Sequence, residues 1–158
     1  MGKYDKYVLF EPHAEVPNMI PLPGFTPEEW EKFRVAMRPY AYRVNSSLID
    51  TIPLDFQFTF ITKPSEPEEP SHPVHTHDDD EFVFFMGTNP ENMSDFGGVE
   101  IEFTFGIGED KEVYILNKPG VVYIPKGVPH LPLVFKKVPK PFLFGHILVA
   151  PDYTETRL

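Results

Sequence analysis

Apolar and polar residues alternate with a period of two over long parts of this chain, and that period limits the folds open to it. Val99, Ile101, Phe103, Phe105 and Ile107 are interleaved with Glu100, Glu102 and Thr104. Successive side chains of a strand point to opposite faces, so this run predicts a half-buried strand rather than a helix. Leu54, Phe56, Phe58 and Phe60 alternate in the same way with Asp55, Gln57 and Thr59, which predicts a strand with its phenylalanines turned inward. Four more apolar stretches, 113–116, 121–124, 131–135 and 142–149, follow with glycine and proline between them. Short strands at regular spacing predict an antiparallel sandwich or barrel. Nineteen of the 158 residues are proline, which suits strands separated by fixed turns and works against long helices.

The length predicts one domain, 1–158, with residues 1–45 as an N-terminal arm and helix and 46–158 as the barrel. Residues 7–10 form a short strand candidate in the arm. An arm of this kind often adds to a neighbouring sheet edge, so a homodimer is expected. Thr26, Pro27 and Glu29 stand where a helix N-cap, its first residue and the closing carboxylate of a capping box belong. Trp30, Phe33 and Met37 then mark one apolar stripe of a short helix packed on the outside.

Acidic residues outnumber basic ones 24 to 14, for a formal charge of −10. A nucleic-acid partner or an anionic membrane would call for a basic face, and the charge balance argues against both. No stretch approaches the roughly 18 apolar residues of a spanning helix, and the first residues are charged, so a cytoplasmic protein is expected. Cysteine is absent, which removes disulfides and thiolate chemistry.

The chemistry gathers in His75-Thr-His77-Asp-Asp-Asp-Glu81, with His130 arriving later in Pro125-Lys-Gly127-Val-Pro-His130. Residues i and i+2 of a strand share a face, so His75 and His77 can converge on one point. Imidazole and carboxylate are ligands for borderline divalent metals. The expectation is one divalent ion, Fe, Mn, Ni or Zn, held by His75, His77, Glu81 and His130 inside a barrel. Asp78, Asp79 and Asp80 read as a solvated turn, and His13 and His72 as loop residues.

These two stretches resemble the two motifs of the cupin superfamily. The first is His-x-His, a few residues, Glu, and then Gly, which stands here as Gly87. The second is Gly, a few residues, Pro-x-Gly-x-x-His, here Gly120 to His130. Glu69 and Val134 depart from the pattern at positions where the family often has Gly and Asn. The resemblance covers roughly residues 50 to 150 and implies a mainly β jelly-roll, the double-stranded β-helix of the cupins. It implies no single reaction, since the superfamily spans dioxygenases, isomerases, lyases and binding proteins.

Three imidazoles and a carboxylate leave coordination positions open for a small organic molecule, so a metal-dependent enzyme of dioxygenase or isomerase/lyase type is expected. The alternative is a non-catalytic small-molecule-binding cupin. His146 shares a strand face with Phe142, Phe144 and Leu148; if that face lines the interior, it is a candidate partner of a metal ligand or a candidate catalytic base, against the plainer reading of a satisfied core histidine. Tyr123 is a candidate proton handler, and Tyr40 and Tyr42 could also supply hydroxyls. Phe56, Phe58, Phe60, Val83, Phe85, Phe103 and Phe105 are expected to line the barrel. Arg43 is the one arginine close to the barrel segments, which favours a neutral, aromatic or enolisable ligand over a carboxylate.

Overall fold

The computed structural model describes residues 7–9, 26–28, 42–65, 73–151 and 153–158. Ten strands run through them: β1 Tyr42–Val44, β2 Asp55–Ile61, β3 His75–Thr76, β4 Glu81–Met86, β5 Glu100–Phe105, β6 Glu112–Leu116, β7 Gly120–Ile124, β8 His130–Lys137, β9 Phe142–Leu148 and β10 Thr156–Arg157. They form two antiparallel five-stranded sheets, in the orders β1-β2-β9-β4-β7 and β10-β3-β8-β5-β6. This is the expected jelly-roll: β1–β2 and β5–β6 each pair within one sheet, and every other connection crosses from one sheet to the other.

The interior of one end is apolar. Phe85, Phe96, Ile101, Phe103 and Phe142 pack into one cluster, with Val83, Val99 and Ile124 beside them. A fully buried phenylalanine contributes on the order of 1.5–3 kcal/mol through removal of its surface from water. The alternation along β4 and the first part of β5 does what the sequence pattern predicts: Val83, Phe85, Ile101 and Phe103 are buried while Phe82 is exposed. Past Phe103 it fails, because the pairing of β5 with β8 shifts register there, so that Thr104 is buried and Ile107 is exposed.

Strand β2 reverses its predicted facing. Asp55 and Gln57 are buried, and Phe60 is 53 % exposed. Phe56 and Phe58 lie on the outer face, where Phe58 stacks on Tyr42 at 5.4 Å between ring centroids and Phe56 on Phe84 at 6.2 Å. A two-residue period defines two faces without saying which one meets the core. Asp55 goes inward because its partners wait for it. Arg43 Nε donates to Asp55 Oδ1 at 2.9 Å and its Nη2 to Oδ2 at 2.6 Å, while Asn45 Nδ2 donates to Oδ2 at 3.3 Å. The expected lining by Phe56, Phe58 and Phe60 is therefore corrected to Asp55 and Gln57.

The sheet also starts at Tyr42, ahead of the expected boundary at 46, because β1 pairs with β2 through Tyr42 opposite Phe58 and Val44 opposite Phe56. Residues 7–9 carry no strand, so the arm's predicted strand is not formed there. Pro27 and Glu28 are helical, as a helix opening after Thr26 requires. The rest of that helix lies outside the described residues, as do His13, Tyr40, Glu69 and His72.

Candidate metal centre

Two local devices bring the histidines together. His75 opens the two-residue strand β3, opposite His130 at the start of β8. His77, two residues on, falls on the same side. The turn 78–80 then reverses the chain so that Glu81 opens β4. On the second motif, Gly127 takes a φ of +75°, a conformation that L side chains rarely adopt. That turn lets the Gly127 N–H donate to the His77 carbonyl at 2.8 Å, a backbone bond that ties one motif to the other. Gly87 is required for a different reason: a Cβ there would meet the Asp95 carbonyl oxygen at 2.2 Å.

The three imidazoles are 1–3 % exposed, and their ligand nitrogens lie within 4.8 Å of one another. His75 Nε2 and His77 Nε2 are 3.2 Å apart. Each ring is oriented from behind by a backbone carbonyl at Nδ1: Pro73 for His75 at 2.8 Å, Val128 for His130 at 3.0 Å, and Thr154 for His77. A carbonyl only accepts, so each Nδ1 carries a proton and Nε2 is the nitrogen left to bear the lone pair of the neutral form. Three lone pairs aimed at one point repel unless a proton or a cation lies among them. His130 Nε2 is buried and makes no hydrogen bond. This donor set fits a divalent ion bound by imidazole, with the carbonyls behind the rings raising their basicity.

Glu81 completes the arrangement from the other sheet. Its Oε2 lies 3.2 Å from His130 Nε2 and 3.4 Å from His77 Nε2. Its Oε1 accepts a hydrogen bond from His146 Nδ1 at 2.7 Å. Burial by itself would raise the Glu81 carboxyl, but the imidazoles of His130, His146 and His77 overcome it and hold the group well below the usual carboxylate range. Burial would lower His77, yet the contact with the Glu81 carboxylate raises it above the ordinary histidine value.

His146 thus faces the interior, as its strand parity allowed, and it leans on the carboxylate next to the histidines. Its Nε2 is buried without a hydrogen-bond partner. Tyr123 is a correction. It pairs with Phe82 across β4 and β7, on the outer face of the sheet, and is 50 % exposed. Its hydroxyl donates to Asp80 at 3.1 Å, which raises its pKa. Strand parity forbids it to reach the histidines while its neighbours Val122 and Ile124 face in. Asp80 in turn is more than a solvated turn residue, because it also accepts the Lys126 N–H at 3.0 Å.

The C-terminal segment was missed in the sequence. Thr154 holds His77, and the Glu155 carboxylate, accepting from Tyr153 and Arg157, lies 4.0 Å from His75 Nε2. The signal that could have found it is a period of two written in polar residues, Tyr153, Glu155 and Arg157.

No family model matches the chain, and no curated protein matches it in sequence. Among solved structures it is similar to the oxalate decarboxylase of Lactobacillus farciminis, solved as a formate complex, with a TM-score of 0.50 and 14 % identity over 75 % of this chain and 30 % of that one. The chain therefore spans less than a third of that protein's length. It is also similar to the oxalate decarboxylase of Bacillus subtilis at a TM-score of 0.49 and 13 % identity, over 79 % of this chain and 31 % of that one. Vicilin from hazelnut, Corylus avellana, gives a TM-score of 0.45 and 12 % identity, over 70 % and 28 %. The likeness to the Lactobacillus farciminis protein, a cupin-fold protein, together with the two five-stranded antiparallel sheets, gives this chain the cupin fold.

Proposed function

We propose that this chain is a mononuclear metal-dependent cupin enzyme acting on a small organic molecule, of dioxygenase or isomerase/lyase type. The observation that carries the reading is the convergence of three Nε2 lone pairs on one point, each fixed by a carbonyl behind its ring. His75, His77 and His130 would hold a divalent ion, Fe, Mn, Ni or Zn, with Glu81 as the carboxylate beside them. Such an ion supplies Lewis acidity to an oxygen of the bound molecule.

The chain's own residues supply the rest. Glu81 draws the His146 Nδ1 proton toward itself, which leaves the lone pair of His146 on Nε2. That nitrogen is suited to accept a proton from a hydroxyl or enol bound in the interior. Arg43 is committed to Asp55 and Arg157 to Glu155, so neither is set out as a clamp for a substrate carboxylate. This supports a neutral, aromatic or enolisable substrate.

A second reading, metal-assisted binding without catalysis, draws on the closure of the centre, since His75, His77, Glu81 and His130 are all buried. The acid–base pair Glu81–His146 favours the enzyme, because a site for binding alone has no use for it. The test is elemental analysis of protein purified without added metal, followed by oxygen uptake with catechols, diketones and thiols. Near-stoichiometric metal that His130→Ala abolishes supports the centre, and oxygen uptake with Fe(II) selects the dioxygenase branch. Protein that binds no divalent metal would end the proposal.

A further inference from the structure

The C-terminal segment brings a second carboxylate to the histidines. β10 pairs with β3, setting Arg157 opposite His75 and Thr156 opposite Thr76. The Leu158 N–H donates to the Val74 carbonyl at 3.1 Å, and the Pro151 carbonyl accepts the Ser46 N–H at 3.0 Å. Between these anchors the Glu155 side chain turns inward and is 2 % exposed. Its Oε1 accepts from Arg157 Nε at 2.8 Å and its Oε2 from the Tyr153 hydroxyl at 2.9 Å. The same Oε2 lies 4.0 Å from His75 Nε2. One short stretch thus touches two of the three imidazoles, through Thr154 at the back of His77 and Glu155 at the front of His75.

We propose that Glu155 is a second carboxylate of the metal centre, brought to it by the docking of residues 153–158 against β3. The inference rests on the metal reading given above. The atoms within mutual ligand reach are those of His75, His77 and His130, and Glu155 Oε2, 4.0 Å from His75 Nε2, stands beside that set as a charge close enough to act on a cation held there. An ion pair between residues two apart in sequence forms at the surface at no desolvation cost. Burying Glu155 and Arg157 against an imidazole costs both their hydration, and a cation among the histidines offsets that cost for the carboxylate. Tyr153 reports the same crowding, since burial and the charges of Glu155 and Glu81 together push its hydroxyl well above the ordinary tyrosine range.

Docking and metal binding are therefore coupled. An ion at His77 Nε2 strengthens the donation of its Nδ1–H to Thr154, and an ion near His75 attracts Glu155, so each event favours the other.

The experiment is a chelator-competition titration of the full chain with Mn(II) and Zn(II), together with amide exchange at Leu158. Glu155→Gln keeps the shape and removes the charge; it should weaken metal affinity about 10–100-fold, the scale of a lost partner of a metal ligand. Glu155→Asp should recover part of that loss. In the wild type, metal should slow exchange of the Leu158 N–H. That arm needs no variant to fold. A folded Glu155→Gln protein with wild-type affinity, or Leu158 exchange indifferent to metal, overturns this inference and leaves the histidine centre standing. Wild-type protein without metal affinity overturns both.

Discussion

Along β9, Phe142 and Phe144 share with His146 the side of the strand turned to the interior, and along β4 Phe85 and Val83 share it with Glu81. The same strands therefore build two unlike halves of one barrel. At the Phe142 end, ring packs on ring, with Phe96 on Phe142 at 5.3 Å and Phe85 on Phe144 at 5.7 Å between centroids. At the Glu81 end, buried polar groups are matched one to another, Arg43 with Asp55 and Glu81 with His146 and His130. Packing at the first end is non-directional and tolerant of which apolar residue fills it. At the second end each partner is obligatory, because a buried charge without its counterpart is expensive. A two-sheet jelly-roll with an apolar half can carry a polar half whose stability depends on protons and ions.

The largest effects should separate the halves by mechanism. Phe103→Ala, a cavity in the apolar half, should cost about 3–5 kcal/mol in denaturant unfolding. Asp55→Ala should cost about as much, through the stranded charge of Arg43. Adding Arg43→Met should then recover much of the Asp55→Ala loss and nothing of the Phe103→Ala loss. A double variant no better than Asp55→Ala would erase the distinction.

Metal should act on one half only. At a hundredfold excess over its dissociation constant a divalent ion should add about 2.7 kcal/mol to the wild type. Thermal unfolding should show the same gain in Phe103→Ala and none in His130→Ala.

Proton dependence should be weaker and of known sign. In chelated protein, His77 is raised from 6.5, so its contribution is full below that value and is lost as pH rises through the raised pKa. Glu81 is lowered from 4.5, so its contribution is present above that value and is lost as pH falls. Chelated protein should thus be most stable between about 4.5 and 6.5. Saturating metal should shift the maximum upward, because it competes with protons for the same nitrogens. Thermal melts across pH that peak at the same place with and without metal would contradict the assignment. Smallest of all, Val121→Thr on the outer face, where the side chain is 66 % exposed, should change stability by no more than about 0.5 kcal/mol in the same melts.

Strands β5 to β9 and the three histidines were legible because their signals are local. A two-residue period needs only neighbours, and His75 and His77 converge by strand parity alone. The outward facing of Tyr123 was not legible, since it depends on which side of β7 meets the core. Neither was the inward turn of Asp55 and Gln57, which depends on Arg43 and Asn45 across β1 and β2. Glu155 was missed because no short-range pattern links it to His75, eighty residues earlier.

The sequence by itself determined a mainly β chain with a histidine-rich centre, because alternation and motif spacing are properties of adjacent residues. Tertiary structure alone decided which face of each strand is wet, that His146 leans on Glu81, and that the end of the chain reaches the histidines. Those outcomes hang on cross-strand register and on desolvation, and both come into being only when distant segments share one interior.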